Sequence, residues 1–237
     1  FYFFSNVGLS YFCTNLKNSK MSLIKSISGI RGTIGGKVND NLTPLDVVKF
    51  ASAFGTWLQN NKNKKDLTLV IGRDARISGQ MVSSLVASTL QGLGINVVDL
   101  GLSTTPTVEI MVPELKADGG IILTASHNPK QWNALKLLND KGEFISGENG
   151  ADVLALAENE DFDYAEVDDL GKYETRDDAF DIHIKQILDL PTVDVEAIKA
   201  KKFKVVLDAV NSTGGISIPP LLEKLGVEVV KLYCEPN

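Results

Sequence analysis

The sequence predicts an α/β fold, with a mixed, mostly parallel sheet flanked by helices. We expect a complete first domain followed by a partial second domain of the same type. Short apolar, partly β-branched runs alternate with helix-length amphipathic segments along the chain. In the first domain this alternation has the order βαβαβ, which implies parallel strands covered by helices. The 237 residues are enough for one large domain, or for one domain and part of a second.

The predicted elements of the first domain follow one another in a regular order. A strand-like run occupies 23–27. Thr43 as N-cap and Pro44 at the first helical position then mark the start of a helix. The run at 67–71 ends at Gly72 and is typical of a buried strand. Later elements are expected at 81–90 (helix), 95–100 (strand), 106–115 (helix with Thr105 as N-cap) and 120–124 (strand).

A turn, a helix and an acidic segment end the first domain. The turn signal Asp140-Lys141-Gly142 separates short strands at 134–138 and 143–145, and a helix at 147–158 follows. We place a solvated linker at 159–175, between a first domain at 21–158 and a second at 176–237. The second domain is expected to contain elements at 178–190 (helix), 203–207 (strand), 218–225 (helix) and 227–232 (strand). One βαβ unit is too small to complete a core, so we expect a truncated second domain.

Residues 1–20 are interpreted separately. They contain no Met, and Met21 is followed at once by a strand-like run, so we expect 1–20 to be an upstream extension. The alternative is a genuine N-terminal segment of the protein. The stretch has no basic region ahead of its apolar part, which makes it a poor signal peptide.

Composition and charge exclude several classes of function. The chain has 24 Lys and Arg against 30 Asp and Glu, a net charge of −6, which disfavours nucleic acid and anionic membranes as partners. No apolar run approaches the roughly 20 residues of a membrane helix. Cys13 and Cys234 lie near opposite ends and form neither a disulfide framework nor a zinc site. We expect free thiols and a cytoplasmic protein.

Polar loops follow the three predicted parallel strands of the first domain. They occupy 72–79, 101–105 and 125–129, and parallel strands would bring them to one edge of the sheet. That edge would hold Arg73, Arg76, His127, Asn128 and several hydroxyls, a set of donors that suits a phosphate ester. The alternative is that the charged residues form an ordinary loop pair and the hydroxyls cap helices.

The Ser126-His127 pair also raises the possibility of a serine hydrolase. Adjacent side chains rarely point at each other, and no Asp or Glu is assigned to orient His127, so a catalytic triad is weakly supported. The chain contains no Gly-x-Ser-x-Gly elbow, and the Walker and dinucleotide-binding glycine patterns are also absent.

Five segments in order resemble the α-D-phosphohexomutase family. Thr-Ala-Ser-His-Asn-Pro at 124–129 is similar to the phosphoserine loop of that family, and Ser-Gly-Ile-Arg-Gly at 28–32 is similar to its first sugar-phosphate loop. The segments 72–79 and 133–136 resemble the family's next two, although Ala134 stands where the family often has glycine. The segment 206–215 resembles the opening of its second domain. The resemblance extends from Met21 to the end of the chain.

The resemblance implies a role for each matching residue. Ser126 would carry the phosphoryl group and bind Mg²⁺ through its phosphate, and the remaining metal ligands would lie outside this chain. Arg31 and Lys136 would stabilise charge or assist proton movement at the transfer point. Since arginine is a poor base, its contribution would be electrostatic. His127 and Asn128 would orient the loop or substrate oxygens. The phosphate- or substrate-binding residues would be Ser28, Arg73, Arg76, Thr124 and Asn128.

The resemblance also implies an activity for the complete protein. It would interconvert hexose 1-phosphate and hexose 6-phosphate through a phosphoserine and a hexose 1,6-bisphosphate intermediate. The sugar would be glucose, mannose or glucosamine phosphate, and the oligomeric state is open. The family has four domains, so we expect this chain alone to have no mutase activity and at most weak Mg²⁺ affinity. The alternative is a non-catalytic sugar-phosphate-binding protein of the same fold.

Overall fold

A computed structural model of the chain describes residues 21–26, 29–62 and 64–237. The strands are β1 (Ile24–Ser26), β2 (Gly29–Thr33), β3 (Thr68–Arg73), β4 (Asn96–Leu102), β5 (Gly119–Leu123), β6 (Trp132–Leu138), β7 (Tyr173–Thr175), β8 (Lys204–Asp208) and β9 (Glu228–Leu232). The helices are α1 (Pro44–Asn61), α2 (Gly79–Gly92), α3 (Thr105–Glu114), α4 (Gly147–Asn159), α5 (Ala179–Leu188), α6 (Val195–Ala200) and α7 (Gly214–Lys224). A short 3-10 helix spans Val167–Asp169.

Seven strands form one mixed sheet in the order β1-β2-β6-β5-β3-β4-β7. The pairs among β5, β3, β4 and β7 are parallel, whereas β1, β2, β6 and β5 pair antiparallel. A separate two-stranded parallel sheet contains β8 and β9. The predicted fold class, a mostly parallel mixed sheet with flanking helices, is confirmed.

Helices cover both faces of the large sheet because its central strands are apolar on both sides. Leu69 and Ile71 of β3 pack into a cluster with residues of α1, α2 and α4. Val70, between them, packs into a second cluster with residues of α3 and with Ala179 of α5. Side chains alternate between the two faces of a strand, so a strand buried on both faces is a continuous apolar run.

Two helix starts show how closely capping residues can be predicted. Thr43 is the N-cap of α1, as predicted, and it forms a capping box with Asp46. The predicted N-cap of α3 is wrong by one residue, because Thr104, not Thr105, accepts the Thr107 N–H. Both threonines precede a proline-initiated helix, so the sequence alone did not separate them.

The antiparallel part of the sheet differs from the prediction in two places. Strand β6 begins at Trp132, two residues before the predicted start, because Thr33 of β2 pairs with Trp132. The predicted strand at 143–145 is reduced to one bridge between Leu138 and Phe144. Strand β2 (Gly29–Thr33) overlaps the glycine-containing segment 28–32, which we interpreted as a loop.

The segment that we predict as a linker contains regular structure. Strand β7 lies within 159–175 and joins the edge of the large sheet beside β4. Tyr164 hydrogen-bonds through its hydroxyl to Ser52 of α1 over 2.8 Å. The predicted domain limits stay a prediction, and these contacts tie the segment to the first domain.

The second unit contains the predicted strands β8 and β9, but its helix begins earlier than predicted. Helix α7 starts at Gly214, not at Ile218, since the Ser217 N–H already bonds to the Thr213 carbonyl. Helix α6 was not predicted. None of the described helices is long and apolar enough to cross a membrane.

Candidate active site

The loop between β5 and β6 places Ser126 on the surface of the first domain. Ser126 is exposed, and its φ of 55° lies in the left-handed region that few non-glycine residues adopt. Such a conformation costs on the order of 1–3 kcal/mol, so the surrounding structure has to hold it. Within the loop, Asn128 N–H donates to the Ala125 carbonyl and Trp132 N–H donates to the Pro129 carbonyl.

A buried threonine lies on the inner side of this loop. Thr124 is 8% exposed, and its hydroxyl donates to Asp74 Oδ2 over 2.6 Å. The same hydroxyl accepts the Ser126 N–H over 3.1 Å. Asp74 follows β3 directly and so joins the loop after β3 to the loop that carries Ser126. The predicted role of Thr124 in binding phosphate stays a prediction.

Arg76 reaches from the loop after β3 into the Ser126 loop. Its Nε donates to Asp74 Oδ2 over 3.1 Å. Its two terminal nitrogens donate, over 2.7 to 3.0 Å, to the backbone carbonyls of Ser126, Asn128, Pro129 and Trp132. A guanidinium has five N–H groups, and these five contacts use all of them. Arg76, which we predict to bind phosphate, has no free N–H for a ligand in this conformation.

Arg31 and Lys136 lie on neighbouring strands and on the same face of the sheet. Arg31 in β2 pairs with Ala134 in β6, two residues before Lys136. Lys136 pairs with Ile122, which packs on the α3 side of the sheet. Since directly paired residues share a face, both cations project on that side. Arg31 Nε is buried and has no hydrogen-bond partner among the described residues, which fits an anionic ligand.

The Gly29 backbone explains why the segment that carries Arg31 contains glycine. Gly29 has a φ of 107°, and a Cβ there would lie 2.3 Å from the Leu135 carbonyl oxygen. No other residue fits this approach of β2 to β6 without moving the backbone. Ser28, which we predict to bind substrate phosphate, lies outside the described residues.

Two groups surround the Lys136 ammonium. Its Nζ lies 5.8 Å from the centroid of the Phe144 ring. Burial raises the pKa of the Glu109 carboxyl on α3, and the positive charge of Lys136 opposes that rise. The half-buried Lys136 therefore has the Phe144 ring and the partly desolvated Glu109 carboxyl as neighbours.

His127 and Asn128 belong to the same loop as Ser126. His127 is exposed and Asn128 is half-buried. Ser126 stands between two strands, whereas the nucleophile of the common hydrolase elbow stands on a strand-to-helix turn. The arrangement therefore adds no support to the hydrolase alternative.

Arg73 has a different environment from Arg76. Its Nη2 donates to Gln80 Oε1 over 3.0 Å, and its Nη1 donates to the Asp74 carbonyl over 3.3 Å. It lines a cleft of about 560 Å³ at the ends of β4 and β7, together with Asp99 and Arg176. Its predicted role in binding phosphate stays a prediction.

The sequence analysis assigned no function to Asp74, although in the structure its carboxylate connects Arg76 to Thr124. Its carboxylate accepts hydrogen bonds from the Arg76 backbone, the Arg76 side chain and the Thr124 hydroxyl. The available signal was its position two residues before Arg76, a spacing that allows a local side-chain-to-backbone bond. The contact with Thr124, across 50 residues of sequence, left no such signal.

The described residues do not form a magnesium site by themselves. Among them, no group of three His, Cys, Asp or Glu side chains is arranged to hold a metal ion. Magnesium prefers an octahedral set of oxygen ligands, and Ser126 would provide one through its phosphate. Further ligands from outside the chain stay a prediction.

Two family profiles match consecutive parts of the chain. The profile of phosphoglucomutase/phosphomannomutase, alpha/beta/alpha domain I, matches residues 23–164. The profile of the alpha/beta/alpha domain II of the same family matches residues 181–237.

Curated relatives and solved structures agree with these matches. The chain is 37% identical over 208 residues to a phosphoglucomutase/phosphomannomutase of Thermococcus kodakarensis, covering 87% of this chain and 45% of that protein. It is 34% identical over 210 residues to a phosphoglucosamine/phosphogalactosamine mutase of Sulfurisphaera tokodaii, covering 88% of this chain and 44% of that protein. A crystal structure of a phosphoglucomutase/phosphomannomutase family protein from Burkholderia thailandensis has the same fold, with a TM-score of 0.69 and 24% identity, over 92% of this chain and 44% of that one.

The chain therefore spans less than half the length of the curated relatives it matches. Profile matches to two successive domains, found in the same order as the sequence motifs, cover most of its residues. The chain belongs to the phosphoglucomutase/phosphomannomutase family.

Proposed function

We propose that the protein containing this chain is a phosphohexomutase and that Ser126 carries the phosphoryl group. The observation that supports this most directly is the position of Ser126, exposed in a left-handed conformation with both its backbone N–H and its carbonyl hydrogen-bonded. The proposed substrate is a hexose phosphate, since the relatives are named for glucose, mannose, glucosamine and galactosamine phosphates.

The proposed reaction has two phosphoryl transfers. In the first, a sugar hydroxyl attacks the phosphorus of phosphoserine 126, the bond from phosphorus to the serine oxygen breaks, and the sugar hydroxyl loses its proton. The product is a hexose 1,6-bisphosphate and free Ser126. After the bisphosphate reorients, the Ser126 hydroxyl attacks the phosphorus of its other phosphate and loses its proton. The bond from that phosphorus to the sugar oxygen breaks, the sugar oxygen takes up a proton, and phosphoserine 126 and the isomeric monophosphate are formed.

Arg31 and Lys136 are proposed to stabilise the charge of these transfers. Phosphoserine carries a charge of about −1.5 to −2 near pH 7. Phosphoryl transfer depends mainly on positioning and on neutralising the charge of the equatorial oxygens. The unpartnered Arg31 Nε on the α3 face is the donor we assign to a phosphate oxygen. Mg²⁺, which family members generally use, would add positive charge when ligands from elsewhere complete its site.

Phosphorylation of Ser126 tests the proposal and separates it from the non-catalytic alternative. The full-length protein is incubated with hexose 1,6-bisphosphate, and the phosphorylated residue is identified by mass spectrometry. We expect phosphate on Ser126, and we expect Ser126→Ala to lower mutase turnover by a factor on the order of a thousand or more.

Ser84→Ala is the matched control, because Ser84 is an exposed serine on α2 away from the loop. It should keep both phosphorylation and turnover. A Ser126→Ala protein with near-normal turnover would refute the carrier assignment. A protein that binds sugar phosphate without becoming phosphorylated would support the binding-protein alternative.

A further inference from the structure

One side chain, Arg76, donates hydrogen bonds to three backbone carbonyls of the loop that carries Ser126. Between β5 and β6 the chain has no regular secondary structure, so carbonyls such as those of Ser126 and Asn128 need partners from outside a strand or helix ladder. Arg76 supplies them to three loop residues, Ser126, Asn128 and Pro129, and to Trp132 at the start of β6. The Arg76 side chain is only 10% exposed.

The same guanidinium is fixed from its other side. Asp74 Oδ2 accepts from Arg76 Nε over 3.1 Å, and Asp74 Oδ1 accepts from the Arg76 backbone N–H over 3.1 Å. Asp74 also accepts from Thr124, whose hydroxyl in turn holds the Ser126 N–H. Ser126 is thus held at both its N–H and its carbonyl by one connected network.

We propose that Arg76 is a positioning residue. It fixes the Ser126 loop through hydrogen bonds to the backbone carbonyls of the loop and does not bind the phosphate of the substrate. By accepting from Arg76, the Ser126 carbonyl stays on the inner side of the left-handed turn while the residue itself remains exposed. The effect of Arg76 on the order of the loop requires no assumption about activity. Its effect on phosphoryl transfer rests on the proposed function of Ser126.

Only arginine among the cationic residues fits this role. Its planar guanidinium presents five N–H groups in fixed directions and can serve five acceptors at once. A lysine has three N–H groups on a compact ammonium and would leave at least two of these five contacts unmade. Because the Arg76 guanidinium is charged, its hydrogen bonds are also stronger than those between two neutral groups.

Proteolysis at Lys130 measures the order of the loop without any substrate. Lys130 is exposed and lies within the loop, and the following residue is Gln131. A lysine-specific endoprotease is applied to the full-length protein and to its Arg76→Gln and Arg76→Met variants, so that loss of an arginine removes no cleavage site. We expect cleavage after Lys130 to accelerate roughly tenfold or more in both variants, because the loop opens more often.

Arg176→Gln is the matched control, since Arg176 pairs with Asp178 outside the loop. It should leave cleavage at Lys130 unchanged. Thermal unfolding is recorded for every variant. Unchanged cleavage in a folded Arg76 variant would overturn the proposal. Complete unfolding of both variants would also count against it, because Arg76 would then support the whole domain and not the loop.

Steady-state kinetics distinguish positioning from substrate binding. If Arg76 positions Ser126, Arg76→Gln should lower kcat by roughly a hundredfold with little change in KM. A residue that binds substrate phosphate would mainly raise KM, and that result would overturn the proposal. Failure of the proposed function would appear separately, as absence of phosphate on Ser126 in the unmodified protein.

Discussion

The seven-stranded sheet and the two-stranded sheet both contain short apolar strands, but the side chains of these strands differ in burial. In β3, the side chains of Leu69, Val70 and Ile71 are completely buried. In β8, Val206 is 63% exposed, although β8 also contains three consecutive apolar residues, two of them β-branched. Strand β3 has neighbours on both sides and helices on both faces, whereas β8 pairs only with β9 among the described residues. Strand formation is thus a local property of such a run, and burial is set by the partners available.

Core truncation should give the largest difference between the two units. Phe54→Ala should cost about 3–5 kcal/mol in the free energy of unfolding, because Phe54 is fully buried and stacks on Trp57. Val206→Ala should cost less than about 1 kcal/mol, since its side chain is already mostly hydrated. Urea denaturation of the 237-residue chain, followed by far-UV circular dichroism, measures both. Equal losses would mean that Val206 of β8 is buried as deeply as the core residue Phe54 in solution.

Helix caps should give the next largest difference. Thr43→Ala removes half of the α1 capping box and deprives the buried Asp46 of a donor, so it should cost about 1–2 kcal/mol. Asp194→Ala removes the cap of the short, exposed α6 and should cost about 0.5 kcal/mol. Thr43→Ser keeps the hydroxyl and serves as the control in the same denaturation experiment. A larger loss at Asp194 would reverse the comparison.

The contact between α3 and α5 should give the smallest effect, visible as a pH dependence. His183 of α5 hydrogen-bonds through Nδ1 to the Thr107 hydroxyl over 2.9 Å, and burial lowers its pKa below the ordinary 6.5. As the pH falls below about 6.5, the unfolded chain takes up this proton before the folded chain does, so stability decreases.

Comparison of His183→Gln with the unmodified chain isolates this effect. Melting temperatures are measured between pH 7.5 and pH 5.5, and we expect the variant to lose less stability than the unmodified chain over that interval. Parallel pH profiles for the two proteins would show that His183 does not connect the two helices in this way.

The central strands could be predicted from sequence because burial on both faces leaves a continuous apolar run. Strand β2 could not be predicted, since glycine is depleted in strands and Gly29 and Gly32 therefore indicate a loop. Strand β7 is three residues long and follows an acidic segment, so neither its length nor its composition indicated a sheet edge. Its place in the sheet depends on pairing with β4, a tertiary contact.

The residues of the candidate site could be proposed from sequence, whereas the contacts among them could not. Ser126, Arg31, Lys136 and Thr124 were proposed from short motifs that resemble those of the phosphohexomutase family, and their roles stay predictions. The network under the loop is formed by Asp74 and Thr124, which meet only because β3 and β5 are adjacent. The sequence also did not predict that Arg76 donates to the backbone carbonyls of the loop, since the motif at 72–79 is equally compatible with an arginine that binds phosphate.

The pairing of β6 with β2 and β5 fixes which of its side chains face α3. Lys136 shares a face with Ile122, while Leu135 and Leu137 point to the opposite face and fill the other core cluster. An insertion of one residue inside β6, between Trp132 and Lys136, would exchange these faces and turn the ammonium into the apolar layer, unless a bulge absorbed the extra residue. Natural variation in length among relatives should therefore fall in the irregular loop before β6, and an extra residue inside β6 should come with a bulge.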